Sequence, residues 1–247
     1  MKTQLENRFL REELDIIDLE SVSIEGKRYY KTPDGSIYPS VTTVTSSTKK
    51  SYIEAWKKRV GEAEAAKVSR RASARGTDLH TICEDYTCNK VHYTRGMMPN
   101  IVEMFSTIKP LIDENVGTIY ANEIALFSHE LKTAGRTDMF CQFQGINTIV
   151  DFKTSSKIKK ESDIEDYFIQ ATTYAMMLEE MYQGKLAIPQ LAIIMAVADR
   201  GDSGQSGGPI GLLFVKPTLP YRTKVRKLFQ EYHDNNPPLS YNPLLLD

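Results

Sequence analysis

Polar and apolar positions alternate most clearly between Thr133 and Lys153, where the chain reads TAGRTDMFCQFQGINTIVDFK. The pattern predicts two strands joined by a turn at Gln144-Gly145, because a period of two marks a half-buried strand. The second strand, 146–152, is apolar for most of its length, as a central strand is. Upstream, 21–32 alternates around Glu25-Gly26 and predicts a hairpin, and Pro33-Asp34-Gly35 predicts a further turn. Ser40 is placed to cap a short helix. Residues 51–74 have helical spacing, with Trp56, Val60, Ala63 and Lys67 in register, and 76–84 continues as helix. Further helices are predicted over 3–20, 99–115, 165–183 and 220–235, and strands over 117–130, 190–198 and 211–216. On the 165–183 helix, Phe168, Ala171, Ala175, Leu178 and Tyr182 form the apolar stripe. The sequence GDSGQSGGP reads as a flexible connection.

The pattern contains no repeat and no long linker, so the 247 residues are expected to form one domain, with 1–20 as a loosely attached N-terminal segment. A hydrophobic content of 41%, a charged content of 26% and a net charge of −1 are those of an ordinary globular protein. The near-neutral balance argues against broad coating of nucleic acid and leaves room for a local basic groove. No apolar run reaches the length of a membrane span, and the acidic N-terminus resembles neither a signal nor a transit peptide. A cytoplasmic location without membrane partners is therefore expected. Cys83, Cys88 and Cys141 form no Cys-x-x-Cys pair and no even-numbered framework, so reduced thiols are expected.

The chemistry centres on Asp138, Asp151 and Lys153. Alternation puts Asp151 and Lys153 on one face, roughly 6–7 Å apart along the strand, and turns Phe152 toward a packed layer. An antiparallel neighbour can bring Asp138 beside Asp151. Adjacent carboxylates repel unless a positive charge lies between them, and a hard cation with oxygen ligands, Mg²⁺ or Mn²⁺, suits them. Lys153 adds a point charge, which completes the equipment for metal-assisted phosphodiester hydrolysis. The same residues also fit a solvated hairpin with a surface ion pair. His80 and Glu84, four apart on a helix, can look into one site or serve the fold. Ser40 and Thr42 are either plain caps or hydroxyls near a phosphate. Gln170 and Tyr174, also four apart, fit a helix edge or a site. Lys57, Lys58, Arg59, Lys67, Arg70, Arg71 and Arg75 form the densest basic cluster, either a solvated face or a nucleic-acid contact.

Taken in order, Gly76-x-x-x-His80-x-x-x-Glu84, Gly135-Arg136-x-Asp138, Asp151-x-Lys153 and Gln170-x-x-x-Tyr174 resemble the motif series of PD-(D/E)xK nucleases of the RecB-like exonuclease branch. The stretch from Tyr38 to Val44 and the Trp56 helix are similar to single-domain exonucleases related to the mitochondrial genome maintenance exonuclease, phage-encoded ones included. The resemblance spans about residues 28–235. It implies an α/β fold with a mixed central β-sheet flanked by helices, a restriction-endonuclease-like core, here with an N-terminal helical elaboration. It implies Mg²⁺ or Mn²⁺ held by His80, Asp138 and Asp151, with Lys153 orienting the attacking water and Gln170 and Tyr174 holding substrate phosphate or the lysine. Ser40, Thr42 and Glu84 match substrate-side positions. Some relatives carry a four-cysteine iron–sulfur cluster; the three cysteines here do not match it, so none is expected. Asp151 stands where Glu is also used, and its shorter reach shifts the metal.

The activity implied is a metal-dependent DNA exonuclease acting on single-stranded ends in replication, recombination or repair, in the host cytoplasm if phage-encoded. No helicase motif is present, so a motor or recombination partner would be a separate protein. Two other readings stay open: a structure-specific endonuclease on the same residues, and a catalytically silent DNA-binding recombination module. Cleavage of circular single strands separates the first, and the intact Asp138, Asp151 and Lys153 argue against the second.

Overall fold

The computed structural model describes residues 8–199 and 207–236. A small antiparallel sheet opens it, formed by β1 (Glu20–Ile24), β2 (Lys27–Lys31) and β3 (Ile37–Pro39). The turn between β1 and β2 is the expected one, with Glu25 and Gly26 both in the left-handed region (φ 51° and 73°), as a two-residue hairpin turn requires. Four helices follow: α1 (Val41–Ser47), α2 (Lys50–Val60), α3 (Glu62–Thr87) and α4 (Pro99–Asn115). The chain then enters the main sheet through β4 (Val116–Ser128), β5 (Thr133–Phe143) and β6 (Ile146–Ser155). It crosses over by α5 (Glu165–Met181) to β7 (Gln190–Val197), then β8 (Ile210–Pro217) and α6 (Leu219–Asn235).

The five strands lie in the order β4-β5-β6-β7-β8, and all neighbours are antiparallel except β6 and β7. The protein is thus α/β with a mixed sheet, as expected, and β6 is its central strand. Alternation along β7 divides the core in two. Leu191, Ile193, Met195 and Val197 face α5, α6 and α1 together with Ile149, Phe168 and Phe229. Ala192, Ile194 and Ala196 face α3 and α4 together with Phe152, Tyr86 and Phe105. A strand covered on both faces has to be apolar throughout, and LAIIMAV is. Among the described residues no helix is long and apolar enough to cross a membrane.

Two expectations fail. The helix over 3–20 is absent from its described part: residues 8–19 are not helical and run along β4. Ile119 N–H donates to Leu10 C=O at 2.8 Å, Glu12 N–H to Ile119 C=O at 3.0 Å, and Leu14 N–H to Tyr120 C=O at 2.9 Å. A helix would stack Glu12, Asp15 and Asp18 at three-residue spacing, where like charges repel. The extended path instead satisfies backbone groups at the edge of the sheet. The second failure is the continuous helix over 51–74. Gly61 (φ 86°) ends α2 and starts α3, a conformation that costs glycine little. Beyond it α3 runs unbroken through Gly76 to Thr87.

Candidate active site

The site forms where the main sheet opens. The β5–β6 ladder runs from Phe143↔Ile146 to Met139↔Val150 and stops one pair short of Asp138 and Asp151. Beyond that point β6 stays paired only to β7, with Asp151 opposite Ile193 and Lys153 opposite Met195. The amide thus released, Phe152 N–H, donates to Asp138 Oδ2 at 2.6 Å. Asp138 Oδ1 lies 3.3 Å from His80 Nδ1, which α3 brings across the α3/α4 face. Phe152 turns into that core as expected and meets the His80 ring edge-on, with centroids 6.5 Å apart. Asp138 therefore bridges the gap in the sheet, tied by one oxygen to β6 and by the other to α3.

Asp151 and Lys153 share the opposite face, with Lys153 Nζ 2.6 Å from Asp151 Oδ2. Asp151 is 1% exposed, so the bland reading of a solvated surface pair does not hold. The Lys153 ammonium also lies 5.1 Å from the centroid of the Tyr167 ring on α5, a cation–π distance. Farther along α5, Gln170 donates to Tyr174 Oη at a long 3.5 Å. Tyr174 is buried against Gly135, where a Cβ would fall 3.0 Å from the Tyr174 ring and 3.2 Å from Val41. Close approach of α5 and α1 to β5 explains why a side chain is missing there. The lysine's aromatic neighbour is thus Tyr167, whereas the resemblance implies Gln170 and Tyr174 for the lysine or a substrate phosphate.

Glu123 is a candidate site residue to which sequence reasoning gives no role. The β4–β5 register pairs Asn122 with Met139 and Ile124 with Thr137, so Glu123 and Asp138 are the positions between them. Glu123 sits in the left-handed region, φ 49°, which is uncommon for a non-glycine residue in a strand. The Arg136 guanidinium donates to its carbonyl and also to the Asp18 carboxylate. Ligand atoms of His80, Glu123 and Asp138 all lie within 4.8 Å of one another. His80, Glu84 and Glu123 also line an open cleft of 520 Å³ with Arg28, Thr77 and Thr81. Of the hydroxyls, Ser40 Oγ is buried and accepts from Thr43 N–H at 3.0 Å, which makes it the cap of α1. Thr42 is exposed, its hydroxyl 3.0 Å from Ser40 Oγ.

Three carboxylates, one imidazole and one ammonium share this opening, and the charges shift accordingly. Burial raises the Glu123 carboxyl to about 7, with the Asp138 charge adding to it. Burial also raises Asp151, and Asp138 adds to the rise while Lys153 opposes it. Burial alone would raise Asp138 as well, but the charge of His80 and its hydrogen bond hold it below the usual carboxylate range. Burial alone would lower His80, but the Asp138 charge, the hydrogen bond to Asp138 and the Asp151 charge together raise it to about 9. Without a cation, the folded site therefore takes up protons that the unfolded chain would release. Glu123 and His80 both lie above their ordinary values, so the stability they contribute is present at low pH. It is lost as pH rises through about 7 for Glu123 and about 9 for His80. In EDTA, Tm is expected to fall by on the order of 5 °C between mildly acidic and alkaline buffer, and Mn²⁺ at the alkaline end should restore it. Thermal melts with and without Mn²⁺ measure this; a Tm that is flat or rises with pH in EDTA contradicts it.

No protein-family model matches the chain, and no curated protein matches it.

Proposed function

We propose that the protein is a metal-dependent deoxyribonuclease that hydrolyses phosphodiester bonds from single-stranded ends. The observation that carries this reading is Asp138 at the sheet opening, bound to His80 on one side and to the amide before Lys153 on the other. A purely structural role gives no reason to gather Asp138, Asp151 and Glu123 where burial penalises each charge.

The donor set fits a small divalent cation: carboxylate oxygens with one imidazole suit Mg²⁺ or Mn²⁺. His80, Asp138 and Glu123 converge to hold it, with Asp151 beside them. When bound, the cation supplies Lewis-acid polarisation of a phosphoryl oxygen and eases deprotonation of the attacking water. Asp151 and the Tyr167 ring anchor the Lys153 ammonium on two sides. An ammonium has three donors, so N–H bonds remain for a phosphoryl oxygen and for the water. In the hydrolysis a water oxygen forms a bond to phosphorus, the bond from phosphorus to the 3′ oxygen breaks, and that oxygen leaves protonated.

The test is a cleavage assay on end-labelled DNA, single-stranded and duplex, linear and circular, in Mg²⁺, Mn²⁺ or EDTA. Metal-dependent release from linear single strands with circles left intact is expected. Cut circles would make the protein an endonuclease. Binding without cleavage in any metal would make it a silent module.

A further inference from the structure

Beyond the catalytic opening, a groove of 770 Å³ lies between α2, the turn from β1 to β2 and the end of α6. Three cations, Lys27, Lys50 and Lys57, line it together with Thr43, Ser46 and Ser47 of α1. None of the three lysines makes an ion pair or a side-chain hydrogen bond among the described residues. Ile53, 39% exposed, and Tyr232 supply apolar surface in the same groove.

The wall carrying Lys50 and Lys57 is unusual. Helix α2 has no buried residue, so the hydrophobic core does not account for its placement. Residues 49–75 hold nine Lys or Arg against three Asp or Glu, in a chain whose net charge is −1. A cationic rim over an apolar floor is how single-stranded nucleic acid is held: the rim follows the phosphates and the floor meets the bases. The groove is also tied to the catalytic opening. Its α1 wall begins at Ser40, which bridges to Ala134 on β5, the strand that carries Asp138. From the Ser40 cap to Ser46 the helix rises about 9 Å, and Ala134 to Asp138 adds about 13 Å of strand, so one strand of several nucleotides can reach both places.

We propose that this groove binds the backbone of a single-stranded DNA tail at nucleotides beyond the scissile bond. The proposal rests on the nuclease reading and adds a second, non-catalytic contact with the substrate. One acidic residue, Glu54, also lines the groove and lowers its affinity for phosphate.

The test uses the full chain with Lys27, Lys50 and Lys57 all changed to Ala, and separately with Glu54→Lys. Fluorescence anisotropy in EDTA reads the binding of labelled oligothymidylates, one about 30 nucleotides long and one about 3, too short to span both places. The triple variant should bind the long strand on the order of tenfold more weakly at low salt. Its log affinity against log salt should flatten by about 2, at roughly 0.7 for each phosphate that a lysine no longer neutralises. Binding of the short strand, and its cleavage in Mg²⁺, should stay within about twofold of wild type. Glu54→Lys should tighten the long strand, a gain that misfolding does not produce. Unchanged affinity and slope in both variants, with wild type active, overturns the groove and leaves the nuclease reading standing. A wild type that neither binds nor cleaves either strand overturns both.

Discussion

Lys153→Ala is expected to slow single-turnover cleavage by on the order of 10²–10³-fold, or more, at saturating DNA and Mg²⁺. The reason is the position of the ammonium. It is held 2.6 Å from the Asp151 carboxylate and against the Tyr167 ring, so its charge is fixed before substrate arrives. A preorganised charge aimed at the phosphate stabilises the transition state without reorganisation, and the loss of one such donor costs about 2.7–4 kcal/mol elsewhere. Metal binding should persist, because Lys153 is a neighbour of the carboxylates and not a ligand. Lys153→Arg should fall short of full activity, since a planar fork replaces a compact point charge. Calorimetric titration with Mn²⁺ alongside the kinetics separates the two roles. A Lys153→Ala protein that cleaves within a few-fold of wild type would assign the lysine to the fold. If it cleaves poorly and also fails to bind Mn²⁺, the lysine acts through the metal site and not on the phosphate.

How much of this site can be read from the sequence depends on whether a residue's place is set locally. Asp151 and Lys153 are legible because a strand has a period of two, and Asp138 because the turn at Gln144 and Gly145 fixes the register of a single hairpin. His80 and Glu84 are legible because four residues on a helix share a face. Glu123 is not: it is a lone acidic residue inside a long strand. It reaches the site through its register with β5 and a left-handed backbone held by Arg136, and no local pattern announces either. Tyr167 is hidden likewise, since its value lies in the lysine it meets from another element. The N-terminal discrepancy has the same root. Residues 8–19 look helical by themselves, and the exposed edge of β4 that claims them lies a hundred residues away in sequence. Gly61 is a smaller case: a glycine inside a helical pattern can be tolerated or can break it, and here α2 ends at that residue.

Asp151→Asn is expected to abolish cleavage while the protein stays folded. The loss should be on the order of 10³-fold or more, because the carboxylate both anchors Lys153 and stands beside the converging ligands, and about 1.4 kcal/mol corresponds to each tenfold. The fold should survive for two reasons. Asn keeps the shape of Asp and an oxygen that can accept from Lys153 Nζ. It also removes a buried charge that Asp138 opposes in the metal-free protein. Tm in EDTA should therefore lie within a few degrees of wild type, and DNA binding should hold or improve with one negative charge gone. Mn²⁺ affinity is the discriminating measurement, best made beside Glu123→Gln. The expectation from sequence places the metal on His80, Asp138 and Asp151, whereas the convergent atoms are those of His80, Asp138 and Glu123. If Asp151 is a ligand, both variants lose affinity. If it serves only to hold Lys153, Glu123→Gln alone loses Mn²⁺ while Asp151→Asn binds it and still fails to cleave. An Asp151→Asn protein fully active in Mg²⁺ removes Asp151 from the chemistry and with it the proposed place of the lysine.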